Sequence, residues 1–430
     1  MLRTMLVLAG IGAVVYAASA QAEPQVAYVP LGTANAAIYH PEDTRPHVAF
    51  IVMHRTANFM RHLACEQLAE RGFLAVCLNP RSENNEAVAE WDNVMLDVRQ
   101  GVEYARKQPG ITKVILFGHS GGGAVMTSYQ ATAEKGASYC ADVGKIAPCS
   151  EKLAQLPAAD ALVLADAHPG DAVMEMRDLN PAIKTAPDGS IRIDPSLDPF
   201  SPANGFDPKR SRYSKAFQTR YMAAQAKEAE DLIAKAQKQE ADIKAAGMTR
   251  ADQDMVLVAT TAASGWISRM DSDIDGARST VRPERLLKND GTFVVENITS
   301  VATTDPRGDT DKRETKAFYS KAFLSSHATH ARNSQDDISY CSTNDSSICA
   351  VQYVSVPAMI AAMGGYLFVR DGERLYDQTA SKDKEFFVLE GAVHGFTPCT
   401  ACAKTPGQYD NSVRNLFDYI KSWTDKRFPG

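Results

Sequence analysis

Residues Lys113 to Gly123 read Lys-Val-Ile-Leu-Phe-Gly-His-Ser-Gly-Gly-Gly. The apolar run Val114–Phe117 stops at Gly118, Ser120 follows two residues later, and a helix-like apolar segment opens at Ala124. A serine between glycines at a strand-to-helix junction is the Gly-x-Ser-x-Gly arrangement that presents a hydroxyl as a nucleophile. The glycines are needed because a Cβ on either neighbour of a strained turn strikes the adjoining strand or helix. The free N–H groups at the start of the helix face a developing oxyanion.

A serine hydroxyl is a poor nucleophile at neutral pH and needs a positioned base. Of the nine histidines, only His394 sits in a loop directly after the last expected strand, in Glu-Gly-Ala-Val-His-Gly-Phe. Loops at the carboxyl edge of a parallel sheet stand beside one another, so this position can meet the serine turn. His119, next to Ser120, reads as an orienting or packing residue.

The elements that must position these groups alternate along the chain. Strands are expected at Val48–Met53, Phe73–Leu78, Val114–Phe117 and Ala161–Ala165, with helices at Met60–Arg71, Trp91–Gln108 and from the serine turn to about Glu134. Strands that are apolar on both faces and separated by helices imply a mainly parallel sheet covered on both sides. From about Pro169 to Ala350 the rhythm breaks. This stretch holds a long helix over Lys209–Ala246, capped by Asp207-Pro208 and closed by Gly247, and a hairpin within Arg285–Ser300 around Asn289-Asp290-Gly291. The charged loop Thr303–Arg313 has aspartates, but their spacing fits no calcium loop. The rhythm resumes with strands Pro357–Met363 and Glu385–Leu389 and helices Asp371–Ser381 and Asn411–Trp423.

These features resemble the α/β-hydrolase fold family, and within it the serine esterases and lipases. The resemblance rests on Gly118-His119-Ser120-Gly121-Gly122, on the late Gly-Ala-Val-His394-Gly, and on the strand ending Val52-Met53-His54 followed by a helix. It covers roughly residues 45–170 and 350–428. It implies a mainly parallel sheet flanked by helices, with a mostly helical cap inserted before the penultimate strand. The division it suggests is a signal peptide over 1–22, a first core segment over 23–169, a cap or lid over 170–350 and a second core segment over 351–430.

The resemblance also implies roles. The triad acid is expected after the Pro357–Met363 strand, and this chain lacks an acidic residue within about four positions of that strand's end. Glu373 is the first choice and Asp371 the second; Asp166 and Asp171, after the Ala161–Ala165 strand, are outside candidates. The oxyanion donors are expected to be the backbone N–H groups of Gly121 and Arg55, with Thr56 next. Relatives often carry glycine where this chain has Arg55, whose guanidinium could contact an acidic or carbonyl group of a substrate. The cap supplies Tyr213, Phe217, Tyr221, Phe318, Tyr319 and Phe323 as aromatic contacts, more as cap core than as pocket wall.

Bulk properties narrow the surroundings. The 430 residues carry a formal charge of −6 with Lys and Arg scattered, which gives no case for nucleic acid as a partner. Leu2-Arg3, the apolar stretch Met5–Tyr16 and the small residues Ala18–Ala22 read as a secretory signal, cleaved after Ala22. No later segment is apolar enough for a membrane span, so stable membrane insertion is not expected after its removal. All eight cysteines follow it, and their proximity suggests disulfides Cys65–Cys77, Cys140–Cys149, Cys341–Cys349 and Cys399–Cys402. The expectation is a periplasmic or secreted serine hydrolase that cleaves a small-molecule carboxylic ester and needs no metal or organic cofactor. Three alternatives stand beside it: an amidase or peptidase using the same triad, an inactive hydrolase-fold binding protein, and thiol–disulfide exchange by Cys399 and Cys402.

Overall fold

The computed structural model describes residues 24–42, 45–185, 190–208, 210–249, 255–261, 267–271, 274, 278–302, 314–335 and 337–430. The expected signal peptide and the whole Thr303–Arg313 loop lie outside them. Strands β1 (Gln25–Leu31), β2 (Ala34–His40), β3 (Val48–Val52), β4 (Leu74–Asn79), β5 (Lys113–Ser120) and β6 (Ala161–Ala167) form the first part of a ten-stranded sheet. The order runs β1-β2-β4-β3-β5-β6, then Ala358–Met363, Lys384–Leu389, Glu284–Leu287 and Phe293–Glu296. From β4 to Glu284–Leu287 every pairing is parallel; the edges, β1–β2–β4 and the last hairpin, are antiparallel.

From β4 to Lys384–Leu389 both faces of this sheet are dry, as continuous apolar strands require, while the outer strands β1 and Phe293–Glu296 are largely exposed. Strand residues alternate between them: Ile51, Val76 and Leu116 pack under helices α2 (Trp91–Arg106) and α3 (Gly122–Lys135), while Phe50, Val52 and Phe117 pack against α1 (Leu63–Ala69) and the terminal helix Ser412–Arg427. The second face is closed by Leu416, Phe417, Ile420 and Trp423, recurring at helical spacing and all buried. The four disulfides join the expected pairs. Cys399–Cys402 closes the turn just after the His394 loop, where the Cys399 N–H donates to the Gly391 carbonyl at 2.8 Å.

Residues 170–350 are more than a helical roof. The expected hairpin forms, but Leu286 and Leu287 pair in parallel with Val388 and Leu389, so it extends the main sheet beyond Lys384–Leu389. The same stretch holds helix Lys215–Ala246 and an antiparallel pair, Val256–Thr260 with Glu314–Phe318. The long helix starts six residues after its expected first residue, because the Ser214 hydroxyl, not Asp207, accepts from the Phe217 N–H; Gly247 ends it at φ 64°. Tyr213, Phe217 and Tyr221 stack along its first turns and bury against Ile267, Met270 and Ile274. Phe323 packs with Leu232, Ile233, Val256 and Val258. Those aromatics therefore build the core of the insertion.

Candidate active site

Strand β5 delivers Ser120 into a left-handed backbone conformation, φ 55°, where the sheet register shifts between His119 and Ser120. A non-glycine residue adopts this conformation only when its surroundings enforce it. Here the enforcement is the close return of α3: a Cβ on Gly123 would stand 2.3 Å from the Ala167 Cβ. Gly121 is just as constrained. A Cβ there would stand 2.5 Å from His54 Nε2 and 3.1 Å from His168 Nε2. The serine turn thus sits against two imidazole tips.

His394 occupies a loop closed by the Val393 N–H bonding the Thr397 carbonyl and the Phe396 N–H bonding the Val393 carbonyl, each 2.8 Å. Phe396, at φ 72° and fully buried between Phe117, Phe417 and His62, anchors that loop in the core. The imidazole lies between Tyr366, stacked at 4.4 Å, and His119, at 4.5 Å between ring centroids.

The carboxylate at His394 is Asp166. Its Oδ2 lies 2.6 Å from His394 Nδ1, and its Oδ1 accepts from the Met363 N–H at 3.0 Å. Asp166 stands inside β6 at φ 47°, 1 % exposed, turned out of the pleat. Burial raises its pKa, while the bonds from His394 and Met363 pull it down. A carboxylate there accepts only, so His394 carries its proton on Nδ1 and leaves Nε2 as the basic atom. Among the described residues, neither that Nε2 nor the Ser120 hydroxyl has a hydrogen-bond partner in this state.

The structure brings neither Glu373 nor Asp371 to His394. Glu373 is fully buried and accepts from the Val281 N–H at 2.9 Å, with Arg370 beside it. Asp371 is bound by the Arg177 guanidinium at 3.0 and 3.2 Å, which holds its carboxyl below the usual range despite burial. Both belong to helix Val369–Gln378, one turn of chain too far from the strand end. Strand Ala358–Met363 runs instead into Gly364-Gly365, whose N–H groups bond the Leu389 and Ala392 carbonyls. The carboxylate beside His394 comes instead from the neighbouring strand, β6.

Three further histidines brace the site. The His394 carbonyl accepts from His119 Nε2 at 2.8 Å, so His119 Nδ1 is an acceptor and receives a hydrogen bond from His62 Nε2–H at 2.9 Å. His62 Nδ1 in turn accepts from the Ala64 N–H, capping α1. His54 Nδ1 accepts from Thr56 and Ala57, so its proton sits on Nε2, the tip against Gly121. Burial lowers His54 to about 3 against the upward pull of Asp171, and burial with the nearby His394 lowers His62 to about 4 and holds His119 well below its usual value.

Arg55 is buried. It donates from Nη1 to His327 Nε2 at 3.0 Å, pairs with Glu86 and Asp171, and has Asp345 at 3.9 Å. Burial favours a neutral Asp171, but Arg55 and His168 hold it well below the carboxylate range; Asp345, buried beside it, is pushed well above. This arrangement uses the Arg55 side chain to tie down the loop after β3. Its backbone N–H is the one expected to face the serine.

Among known proteins, the family described as Serine aminopeptidase, S33, matches residues 45–173, the segment that spans β3, the serine turn and Asp166. No curated protein matches the chain. Solved structures similar to it include a hypothetical protein from Pseudomonas aeruginosa (14 % identity over 99 % of both chains, TM-score 0.40). Est1E from Butyrivibrio proteoclasticus is similar at 12 % identity over 94 % of this chain and 99 % of that one, TM-score 0.37. A dienelactone hydrolase from Anabaena variabilis is similar at 9 % identity over 94 % and 99 %, TM-score 0.38.

Two outcomes follow from this packing. Gly121→Ala forces His54 or His168 aside and lowers stability by about 1–3 kcal/mol, whereas Gly395→Ala, where a Cβ meets nothing within 4 Å, changes it by less than about 0.5 kcal/mol; urea unfolding distinguishes them. His54 and His62 titrate lower in the folded than in the unfolded chain, so the unfolded chain binds more protons below pH ~6.5. Stability is therefore complete above that pH and falls as pH drops toward 4, by up to about 1.4 kcal/mol per unit for each ring. Unfolding midpoints at pH 7, 6 and 5 measure the slope, and His62→Gln should flatten it.

Proposed function

We propose that this chain, which has the α/β-hydrolase fold, is an exported serine hydrolase that cleaves a carboxylic ester through an acyl-enzyme on Ser120. The observation that carries the reading is the Asp166–His394 bond at the carboxyl edge of the sheet, beside a serine held at positive φ. Asp166 fixes the imidazole with Nε2 free, and that atom is the base for the Ser120 proton. A serine rotamer change on substrate entry closes the Ser120–His394 bond, as catalytic hydrogen bonds commonly tighten only in the substrate complex.

In the reaction, Ser120 Oγ attacks the ester carbonyl while His394 takes its proton. The oxyanion that forms accepts from the N–H groups of Gly121 and Arg55. Collapse expels the alcohol, which takes the proton from His394. Water, deprotonated by the same nitrogen, then releases the acid and restores Ser120. The chain of His62 and His119 holds the His394 carbonyl, so the base enters the reaction with its loop already ordered. Residues 170–350, apart from the hairpin that joins the sheet, act as the cap that roofs the site. The four disulfides support an oxidising compartment, in keeping with the expected signal peptide.

Amide or peptide hydrolysis is the second reading, favoured by the aminopeptidase description of the matched family. The serine chemistry is common to both, and the leaving group distinguishes them.

The test is turnover of p-nitrophenyl esters and matched p-nitroanilides by the mature protein. The reading predicts faster hydrolysis of the esters, abolished in Ser120→Ala and lowered roughly 10²–10⁴-fold in kcat by Asp166→Asn, with KM little changed. Preference for the anilides favours the second reading. Activity that survives Ser120→Ala, or is indifferent to Asp166→Asn but lost in Glu373→Gln, contradicts the assignment.

A further inference from the structure

Two imidazole tips stand over Gly121, and their protons go to different places. His168 Nδ1 accepts from the Gly170 N–H at 3.0 Å, so its proton is on Nε2, which faces Asp171 Oδ1 at 3.2 Å. His168 is buried and its donor is used. His54 Nδ1 accepts twice, from the Thr56 N–H at 3.2 Å and the Ala57 N–H at 3.0 Å, which also leaves its proton on Nε2. That N–H has no hydrogen-bond partner among the described residues. His54 is partly exposed, as are Ser120, Tyr366 and His394, and its Nε2 is not one of the orphaned atoms shut away from solvent. It is an open donor at the edge of the serine turn.

Its position fits one acceptor. A Cβ on Gly121 would lie 2.5 Å from His54 Nε2, and a Cβ lies about 2.5 Å from its own backbone nitrogen. The Gly121 nitrogen and His54 Nε2 are therefore no more than about 5 Å apart. Two donors that each bond one oxygen at about 2.9 Å can stand up to about 5.8 Å apart. The separation thus allows both N–H groups to meet a single oxygen. The same closeness accounts for glycine at 121, since any side chain would fill the space that the imidazole tip holds. A Cβ on Gly122 would strike the Met53 carbonyl, so the start of α3 is seated directly on the end of β3 that carries His54.

Electrostatics give this ring a donor's part. With Nε2 protonated and Nδ1 occupied by two N–H groups, His54 has no lone pair to offer and is no rival base to His394. Burial holds its pKa down to about 3 against the pull of Asp171, so the ring is uncharged at neutral pH. A neutral imidazole can polarise or stabilise a developing oxyanion without opposing the imidazolium that forms on the base. The two N–H groups on Nδ1 polarise the ring and strengthen Nε2–H as a donor. The Thr56 N–H, which the resemblance put next after Arg55 as an oxyanion donor, is thereby committed to His54, and the imidazole passes its polarity toward the serine turn.

We propose that His54 is a catalytic residue whose Nε2–H donates to the tetrahedral oxyanion beside the Gly121 N–H, a side-chain donor added to the backbone ones. The inference rests on the serine-hydrolase reading and assigns a further residue to that same site.

Two substitutions separate this role from a structural one. His54→Asn keeps an acceptor for the Thr56 and Ala57 N–H groups but removes the tip; His54→Gln places an amide N–H at the tip but removes that acceptor. Hydrolysis of p-nitrophenyl esters is measured per active site, counted by exhaustive fluorophosphonate labelling, with melting midpoints alongside. The proposal predicts that His54→Asn lowers kcat about 10²–10³-fold with KM little changed, and that His54→Gln is the more active of the two although it melts lower. In the unaltered protein, a trifluoromethyl ketone adduct on Ser120 holds a stable oxyanion, and the His54 Nε2 proton resonance moves downfield on its formation. A His54→Asn protein as active as the unaltered one, His54→Gln less active than His54→Asn, or an unmoved resonance overturns the donor role and leaves the Ser120 chemistry standing. Absence of turnover in the unaltered protein, with Ser120 inert to the fluorophosphonate, overturns the serine reading and this inference with it.

Discussion

An aspartate one residue from the end of a buried strand and an imidazole 228 residues later are held 2.6 Å apart. That bond is the constraint on which the remaining architecture turns. For Asp166 to reach out of a fully buried strand, its backbone must flip to positive φ and its second oxygen must be met by the Met363 N–H. For His394 to meet it, the last loop must fold back over the sheet, which requires Phe396 in the core and the Cys399–Cys402 turn behind it. A charged group buried this deeply is tolerated only with its hydrogen bonds complete.

Around that bond the molecule separates two kinds of electrostatics. On the core side lie neutral histidines: His62, His119 and His54, each with a defined tautomer and each kept uncharged by burial. On the cap side lies an ion-rich wall in which Arg55 is encircled by Glu86, Asp171 and Asp345. Breaking such a cluster by removing one member strands the others, so the loop after β3 is held stiffly.

The local features of this arrangement were legible in the residues. The Ser120 turn, the His394 loop and the disulfide partners are encoded over a few positions by glycines, apolar runs and spacing. The carboxylate beside His394 was not, because it depends on sheet order: β6 lies next to Ala358–Met363, so its end reaches the His394 loop as readily as that strand's own end. Analogy pointed to Glu373, which instead secures Val281 and Arg370. The hairpin was read correctly as a hairpin, but its attachment to the sheet depends on a pairing with residues a hundred positions away. The start of α1 at His62 escaped notice because histidine is not among the usual helix-capping residues.

The central claim is that the hydroxyl of Ser120 is made nucleophilic by His394 in the tautomer that Asp166 selects. Intact-mass and peptide mapping after treatment with a fluorophosphonate, on the unaltered protein and on Asp166→Asn, tests it most directly. The account predicts a single adduct on Ser120, formed far more slowly in the variant. An adduct on any other residue, or an equal labelling rate in both proteins, contradicts it.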